Sequence, residues 1–354
     1  MNGQPLPGAY DADNRFIAAH HLPAVLIDLA RSRGIDTHHL LRGCELFYED
    51  IVTGAALISP QQFLRLIDNA RRLLSAPDTS FLFGQRLWPG HYGPGSQLLE
   101  QADNLQQALE RLGEYRALLS PLLTPVMHLD DRYLHLYWRD SCGASEQSTF
   151  LLEASMTAVV ALARRQQNER LPWRFQFAYA EPAYVEQYWV HLGDALTFDR
   201  PSTVMSVPRE YLLRPWPQAG STGALVARQS CSAQLHAWGW QASFLDHLHA
   251  YLSQHIRHPL SLERVAAAFE TSPASFKRRL GKHGTHFQEQ LDLTRRDLAL
   301  YLYQVKGYSN EEVAQHLGFS DITNLRRSFK RWTGRVPSDL GGLLCGRAQP
   351  GNVG

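Results

Sequence analysis

The chain has 354 residues, 44% hydrophobic and 19% charged, a globular composition long enough for two domains with separate cores. No apolar run reaches the roughly 18 residues a membrane span requires, and residues 1–12, with Pro5, Pro7 and Gly8, lack the basic start and apolar stretch of a secretory signal. A cytoplasmic protein without a membrane partner is therefore expected, and the overall net charge of +1 hides a division: 14 Lys+Arg against 10 Asp+Glu over residues 244–340, but 20 against 24 over residues 1–243. An acidic body joined to a basic module suits a chain of which only one part meets a polyanion.

Apolar spacing predicts helices over residues 22–33, from Pro60 through Leu73, and over 105–119. Residues 122–127 and 133–138 flank Asp130-Asp131 and read as a hairpin, with Leu134, Leu136 and Trp138 alternating with polar or aromatic neighbours. A long apolar helix is expected over 149–166, strands over 174–179 and 195–207, and a short helix over 183–191. The N-terminal domain, residues 1–213, is thus mixed α+β. Pro215, Pro217, Gly220, Ser221 and Gly223 mark a break, so residues 214–243 are expected to be a linker and 341–354 a flexible tail.

Residues 244–340 are predicted to be all-α, with one unit repeated. Helices are expected over 244–256 and 262–269, followed by a restart at Ser272-Pro273, with Ser272 as N-cap and Pro273 in the first helical position. Phe276 and Leu280 form the buried side of this third helix. The same order recurs over 310–317: Gly318 suits a left-handed C-cap, Ser320 or Asp321 caps the next helix, and Leu325 and Phe329 are buried. Short helix, tight turn and basic helix make a helix-turn-helix unit. The stripe Phe287, Leu291, Thr294, Leu298, Leu302 and Val305 predicts a connecting helix over 285–306. At 1.5 Å per residue it spans roughly 30 Å, near the ~34 Å between successive major grooves.

Val313-Ala314-x-x-Leu317-Gly318-Phe319-Ser320-Asp321, followed by Leu325, Phe329-Lys330-Arg331, Gly334 and Pro337, resembles the signature of the AraC/XylS family of transcription regulators. Ser272-Pro273-x-x-Phe276-x-Arg278-Arg279-Leu280 is similar to the family's first unit. Gly93-Pro94-Gly95-Ser96, residues 104–119, Leu196-Thr197-Phe198 and Val207-Pro208-x-x-Tyr211-Leu212 resemble its arabinose-binding-type N-terminal domain, as found in ornithine- and arginine-utilisation regulators. The resemblance implies a homodimer formed through the N-terminal domain, a small-molecule effector, promoter DNA as partner and contact with RNA polymerase. Glu270 departs from the family's usual Gly and implies a strained first turn; Leu325 replaces an aromatic, and Ile322 a polar base-reader.

Carried over residue by residue, Ala274, Lys277 and Arg278 are expected at bases in one groove, and Ile322, Thr323, Arg326 and Arg327 in the next. Ser272 and Ser320 are expected at phosphates, as helix N-termini favour anions. Arg279, Lys282 and Lys330 are expected at phosphates too, while Ser275 shares the outer face of its helix. The bland alternative is that these groups solvate exposed helix faces. The 16 histidines, among them His247, His255 and His258, show no zinc-binding spacing, and the scattered Cys44, Cys142, Cys231 and Cys345 read as free thiols. Tyr133, Tyr137, Trp173, Tyr179, Tyr184 and Trp189 line an effector pocket or, more commonly, pack in the core. No nucleophile motif or phosphate loop is present, so neither catalysis nor a cofactor is expected. Control through protein partners, or an enzyme fused to a DNA-binding module, stays open as an alternative.

Overall fold

A computed structural model describes residues 8–340 except residue 91. The chain begins with strands β1 (Ala9–Tyr10) and β2 (Ile17–Ala18), helices α1 (Leu22–Ser32), α2 (Thr37–Leu40) and α3 (Tyr48–Val52), and strand β3 (Leu57–Ile58). Helices α4 (Pro60–Leu74), α5 (Thr79–Leu87), α6 (Pro94–Glu100), α7 (Leu105–Glu114) and α8 (Arg116–Leu119) follow. Next come β4 (Leu123–Leu129), β5 (Tyr133–Asp140), α9 (Ser148–Gln167), β6 (Arg174–Gln176), α10 (Val185–His191), β7 (Leu196–Thr197) and β8 (Val204–Pro208). Then α11 (Ser221–Trp238) and β9 (Ala242–Ser243) lead into α12 (Phe244–His255), α13 (Leu262–Ala268), α14 (Pro273–Lys282), α15 (Phe287–Gln304), α16 (Asn310–His316) and α17 (Ile322–Thr333).

The N-terminal domain is built on a five-stranded sheet in the order β4-β5-β8-β6-β7. The expected hairpin is its first pair, antiparallel from Leu123↔Asp140 to Leu129↔Leu134. Asp130 makes the turn: its Oδ1 accepts from the amides of Arg132 and Tyr133, both at 2.7 Å. Helix α9 packs so closely on α5 that a Cβ on Gly84 would lie 2.3 Å from the Ala154 carbonyl oxygen. Phe81, Phe175, Phe177 and Tyr188 fill the space between helices and sheet. Of the aromatic residues weighed for an effector pocket, Tyr133 and Trp173 are core, Trp189 is 53% exposed, and Tyr137 and Tyr184 border cavities of substantial size.

Several elements depart from the sequence reading. Tyr115 interrupts the 105–119 helix, and the 195–207 strand is split into β7 and β8 around Asp199, whose φ is 54°. The segment expected as a linker, 214–243, holds the 18-residue α11, which buries Ala224, Ala227, Cys231 and Leu235. Cys44, Cys142 and Cys231 are free and buried; Cys345 and the tail 341–354 lie outside the described residues. No helix among the described residues is long and apolar enough to cross a membrane.

The C-terminal helices have their own apolar cluster, centred on Phe244, Leu248, Phe276, Leu291, Val313, Leu325 and Phe329. Several contacts join it to the N-terminal domain, two of them at the start of α12. β1 pairs in parallel with β9, Ala9 opposite Ala242 and Tyr10 opposite Ser243. Asp246, in the first turn of α12, accepts from Thr124 at 2.7 Å and pairs with Arg116 at 3.2 Å.

Candidate nucleic-acid interface

Each repeat is held by the same small set of contacts. In the first, Val265 and Ala266 of α13 pack with Phe276 and Leu280 of α14. The rings of Phe244 and Phe269 each lie 5.4 Å from Phe276. In the second, Val313, Ala314 and Leu317 pack with Leu325 and Phe329 of α17, and Tyr303 of α15 meets Phe329 at 5.5 Å. Leu325 is fully buried, so the aliphatic side chain takes the core position of the aromatic it replaces.

The two turns share one hydrogen-bond pattern. The Thr271 amide donates to the Ala266 carbonyl at 3.0 Å, and the Phe319 amide to that of Ala314 at 2.9 Å. These bonds close the first helix of each unit around a left-handed residue. That residue is Gly318 in the second unit (φ 72°) but Glu270 in the first (φ 53°), the strained turn expected from the sequence. A Cβ on Gly318 would also come within 2.9 Å of the Arg257 carbonyl. The small side chains of Ala266 and Ala314 let the helices of each pair approach.

Both second helices are capped as their sequences dictate. Ser272 Oγ accepts from the Ser275 amide at 3.2 Å, with Pro273 in the first turn of α14. Asp321, not Ser320, caps α17, accepting from the Asn324 amide at 2.8 Å. Ala274, Lys277 and Arg278 are exposed on α14, as are Thr323, Arg326, Arg327 and Lys330 on α17; Ser272 and Ser320 are exposed at their N-termini. Ser275 and Ile322 are half-buried. Asn324, missed in the sequence reading, shares the exposed first turn of α17, and its amide is held by Asp321 at 2.7 Å. The connecting helix α15 has 18 residues rather than the 22 expected, a length of about 27 Å.

Two of the residues expected at phosphates pair with carboxylates of the N-terminal segment. Arg279 Nε donates to both Asp11 oxygens, at 2.8 and 3.1 Å, with its guanidinium 4.1 Å from the centre of the Phe244 ring. Lys282 pairs with Asp13 at 2.7 Å. Burial acts to raise the Asp11 carboxyl, but the hydrogen bonds from His283 and Arg279 and the charge of Arg279 outweigh it and hold the group below the usual range. The far end of α14 is thereby tied to the N-terminal segment while its first two turns stay open.

Comparison with known proteins agrees with this architecture. The arabinose-binding domain of AraC transcription regulators matches residues 34–216, more than half of the chain, and a helix-turn-helix domain matches residues 265–341. The ornithine utilization regulator of Pseudomonas aeruginosa is 30% identical, covering 89% of this chain and 93% of its own. The HTH-type transcriptional regulator VirS of Mycobacterium tuberculosis is 24% identical over 88% of this chain and 92% of its own. The crystal structure of the regulator CdpR from Pseudomonas aeruginosa, 17% identical, covers 89% of this chain and 96% of its own with a TM-score of 0.43. Two helix-turn-helix units behind an arabinose-binding-type domain, matched over most of its length by such relatives, make this chain a member of the AraC family of DNA-binding transcription regulators.

Proposed function

We propose that each protomer reads two successive major grooves, with α14 in one and α17 in the next. The observation that supports this is the repeated geometry: two capped helices with equivalent buried faces and exposed basic outer faces, in units joined by one 18-residue helix about 27 Å long. Lys277 and Arg278 read bases from α14 beside Ala274; Thr323, Arg326 and Arg327 read from α17, with Ile322 at its first turn. Arginine offers a fork to guanine O6 and N7 that lysine cannot reproduce. Ser272, Ser320 and Lys330 hold phosphates, and Ser275 supports the first helix from its half-buried position. Arg279 and Lys282 stabilise the docked arrangement through Asp11 and Asp13 instead of gripping DNA.

The protein acts in the cytoplasm as a homodimer formed through its N-terminal domain, as a regulator and not an enzyme, and contacts RNA polymerase at its promoters. That domain senses a small molecule, and the relative named for ornithine utilization directs the first choice of effector to amino acids. Selection of binding sites from random DNA tests the reading. Arg327→Ala is then expected to lose about 1–3 kcal/mol on the selected operator and much less on unrelated DNA. Equal losses on every sequence remove Arg327 from base reading. Monomers in light scattering at micromolar concentration would refute the dimer.

A further inference from the structure

A cleft of about 420 Å³ separates the two domains, lined on one side by the end of β5 and the start of α9, and on the other by α12, the α14–α15 junction and α15. Its polar groups satisfy one another only in part. At one end, Arg139 of β5 donates through its guanidinium to Nδ1 of His249 on α12. A guanidinium can only donate, so His249 Nδ1 accepts and Nε2 carries the ring hydrogen. Neither that Nε2–H nor Arg139 Nε–H has a hydrogen-bond acceptor. The Asp297 carboxylate stands 3.9 Å from His249 Nε2, beyond hydrogen-bonding reach, and is already held by Arg296 at 2.9 Å.

At the other end the mismatch is reversed. His283, 2% exposed, donates Nε2–H to Asp11 at 3.2 Å, and its Nδ1 has no hydrogen-bond partner. Asp140 accepts from the amides of Cys142, Gly143 and Ala144 at 2.8–2.9 Å, yet among the described residues it makes no ion pair. Enclosure pushes its carboxyl above the usual range despite those amides, as expected of a carboxylate short of a counter-cation. Asp140 and His283 are brought together because Gly143, at φ 89°, lies so close to the His283 carbonyl that a Cβ there would be 2.3 Å away.

Two donors without acceptors at one end, and a carboxylate with no ion-pair partner among the described residues at the other, are the complement of a zwitterion. We propose that the interdomain cleft is the effector site, and that it takes a small zwitterion of the amino-acid class. The ligand carboxylate accepts from the unpartnered Arg139 Nε–H and His249 Nε2–H, and its ammonium faces Asp140 at the His283 end. Each end draws one group from the N-terminal domain and one from the DNA-binding domain, so an occupied cleft ties the two together. This rests on the effector-sensing role proposed above and gives it a place and a chemistry.

The test is calorimetric titration of the full-length protein with the standard amino acids and L-ornithine, singly, alongside putrescine (ammonium without carboxylate) and valerate (carboxylate without ammonium). At least one amino acid is expected to bind, with putrescine and valerate weaker by about tenfold or more, the scale of one lost charge-assisted contact. Asp140→Asn is expected to weaken the same amino acid by about tenfold. Because that change also disturbs the local amides, Ser202→Trp, which adds bulk to the cleft wall and replaces none of its four polar groups, provides a second variant. Ser202→Trp is expected to abolish binding while operator affinity without amino acid is kept. If no amino acid binds the wild type, the proposal is wrong. If one binds but neither variant weakens it, amino-acid sensing stands and the cleft is refuted as its site.

Discussion

Asp246→Ala tests how firmly the DNA-binding domain is fastened to its neighbour. Asp246 is 7% exposed. It accepts from Thr124 at 2.7 Å and Arg116 at 3.2 Å, lies 3.8 Å from Arg139, and completes the capping box of α12 with Ser243. Loss of the Asp246 half of the capping box, the bond from the Ser243 amide, costs at most about 1 kcal/mol. Removing one member of a buried ion pair costs about 3–5 kcal/mol. The Arg116 and Arg139 side chains are 25% and 22% exposed and can turn toward water, which puts the total nearer about 3 kcal/mol. Urea unfolding of the full chain measures it, and a double-mutant cycle with Arg116→Gln isolates the pair. A coupling of about 1–3 kcal/mol is expected. Strict additivity would refute the idea that this contact holds the domains. The pH dependence gives a second readout. Burial acts to raise the Asp246 carboxyl, but Arg116, the Thr124 hydrogen bond, Arg139 and the Ser243 amide together hold it below the usual range. Its contribution is therefore present above an unfolded pKa of about 3.9 and lost as pH falls through the lower folded value. Asp246→Asn removes that part of the acid sensitivity.

Glu270→Gly is expected to raise stability by about 0.5–1 kcal/mol in urea, because φ 53° strains a residue with a Cβ; no gain would mean that the turn is unstrained. Lys330→Ala is expected to weaken specific and non-specific DNA alike and lower the salt slope by about one unit, and an unchanged slope would deny it a phosphate. Ile322 opens α17 half-buried and cannot hydrogen-bond, so its proposed contact is the thymine methyl group. Replacing that thymine with uracil is expected to cost the wild type on the order of 1 kcal/mol and Ile322→Ala almost nothing. Equal losses in both proteins would show that Ile322 packs inward beside Phe319.

The DNA-binding half was legible because its information is local. The pairs Val265/Ala266 and Val313/Ala314, and the spacing of Phe276 to Leu280 and of Leu325 to Phe329, state which side of each helix is buried, and all eight residues are buried. Helix α11 escapes the sequence reading because its opening carries Ser221 and Gly223 and three of its four buried residues, Ala224, Ala227 and Cys231, are small and give little apolar contrast. β1 and β9 are two residues each, too short for alternation to show. The ties of Arg279 and Lys282 join residues more than 260 positions apart. Arg139 and His249 are likewise 110 positions apart, and Asp140 and His283 further still. No local pattern announces such a meeting. A basic helix reads the same whether its cations face phosphate or an aspartate from the other end of the chain.

The short parallel pairing of Ala9–Tyr10 with Ala242–Ser243 bears on how modular such a regulator is. Ala9 packs against the apolar cluster of the DNA-binding domain, while the Tyr10 hydroxyl donates to the Pro121 carbonyl at 2.9 Å. A chimera made by grafting the DNA-binding half of a relative after residue 240 would bring a new β9 to an old β1, and a new α14 to the old Asp11 and Asp13. The exchangeable unit is therefore discontinuous, and a faithful graft carries residues 8–13 of the donor along with its C-terminal helices.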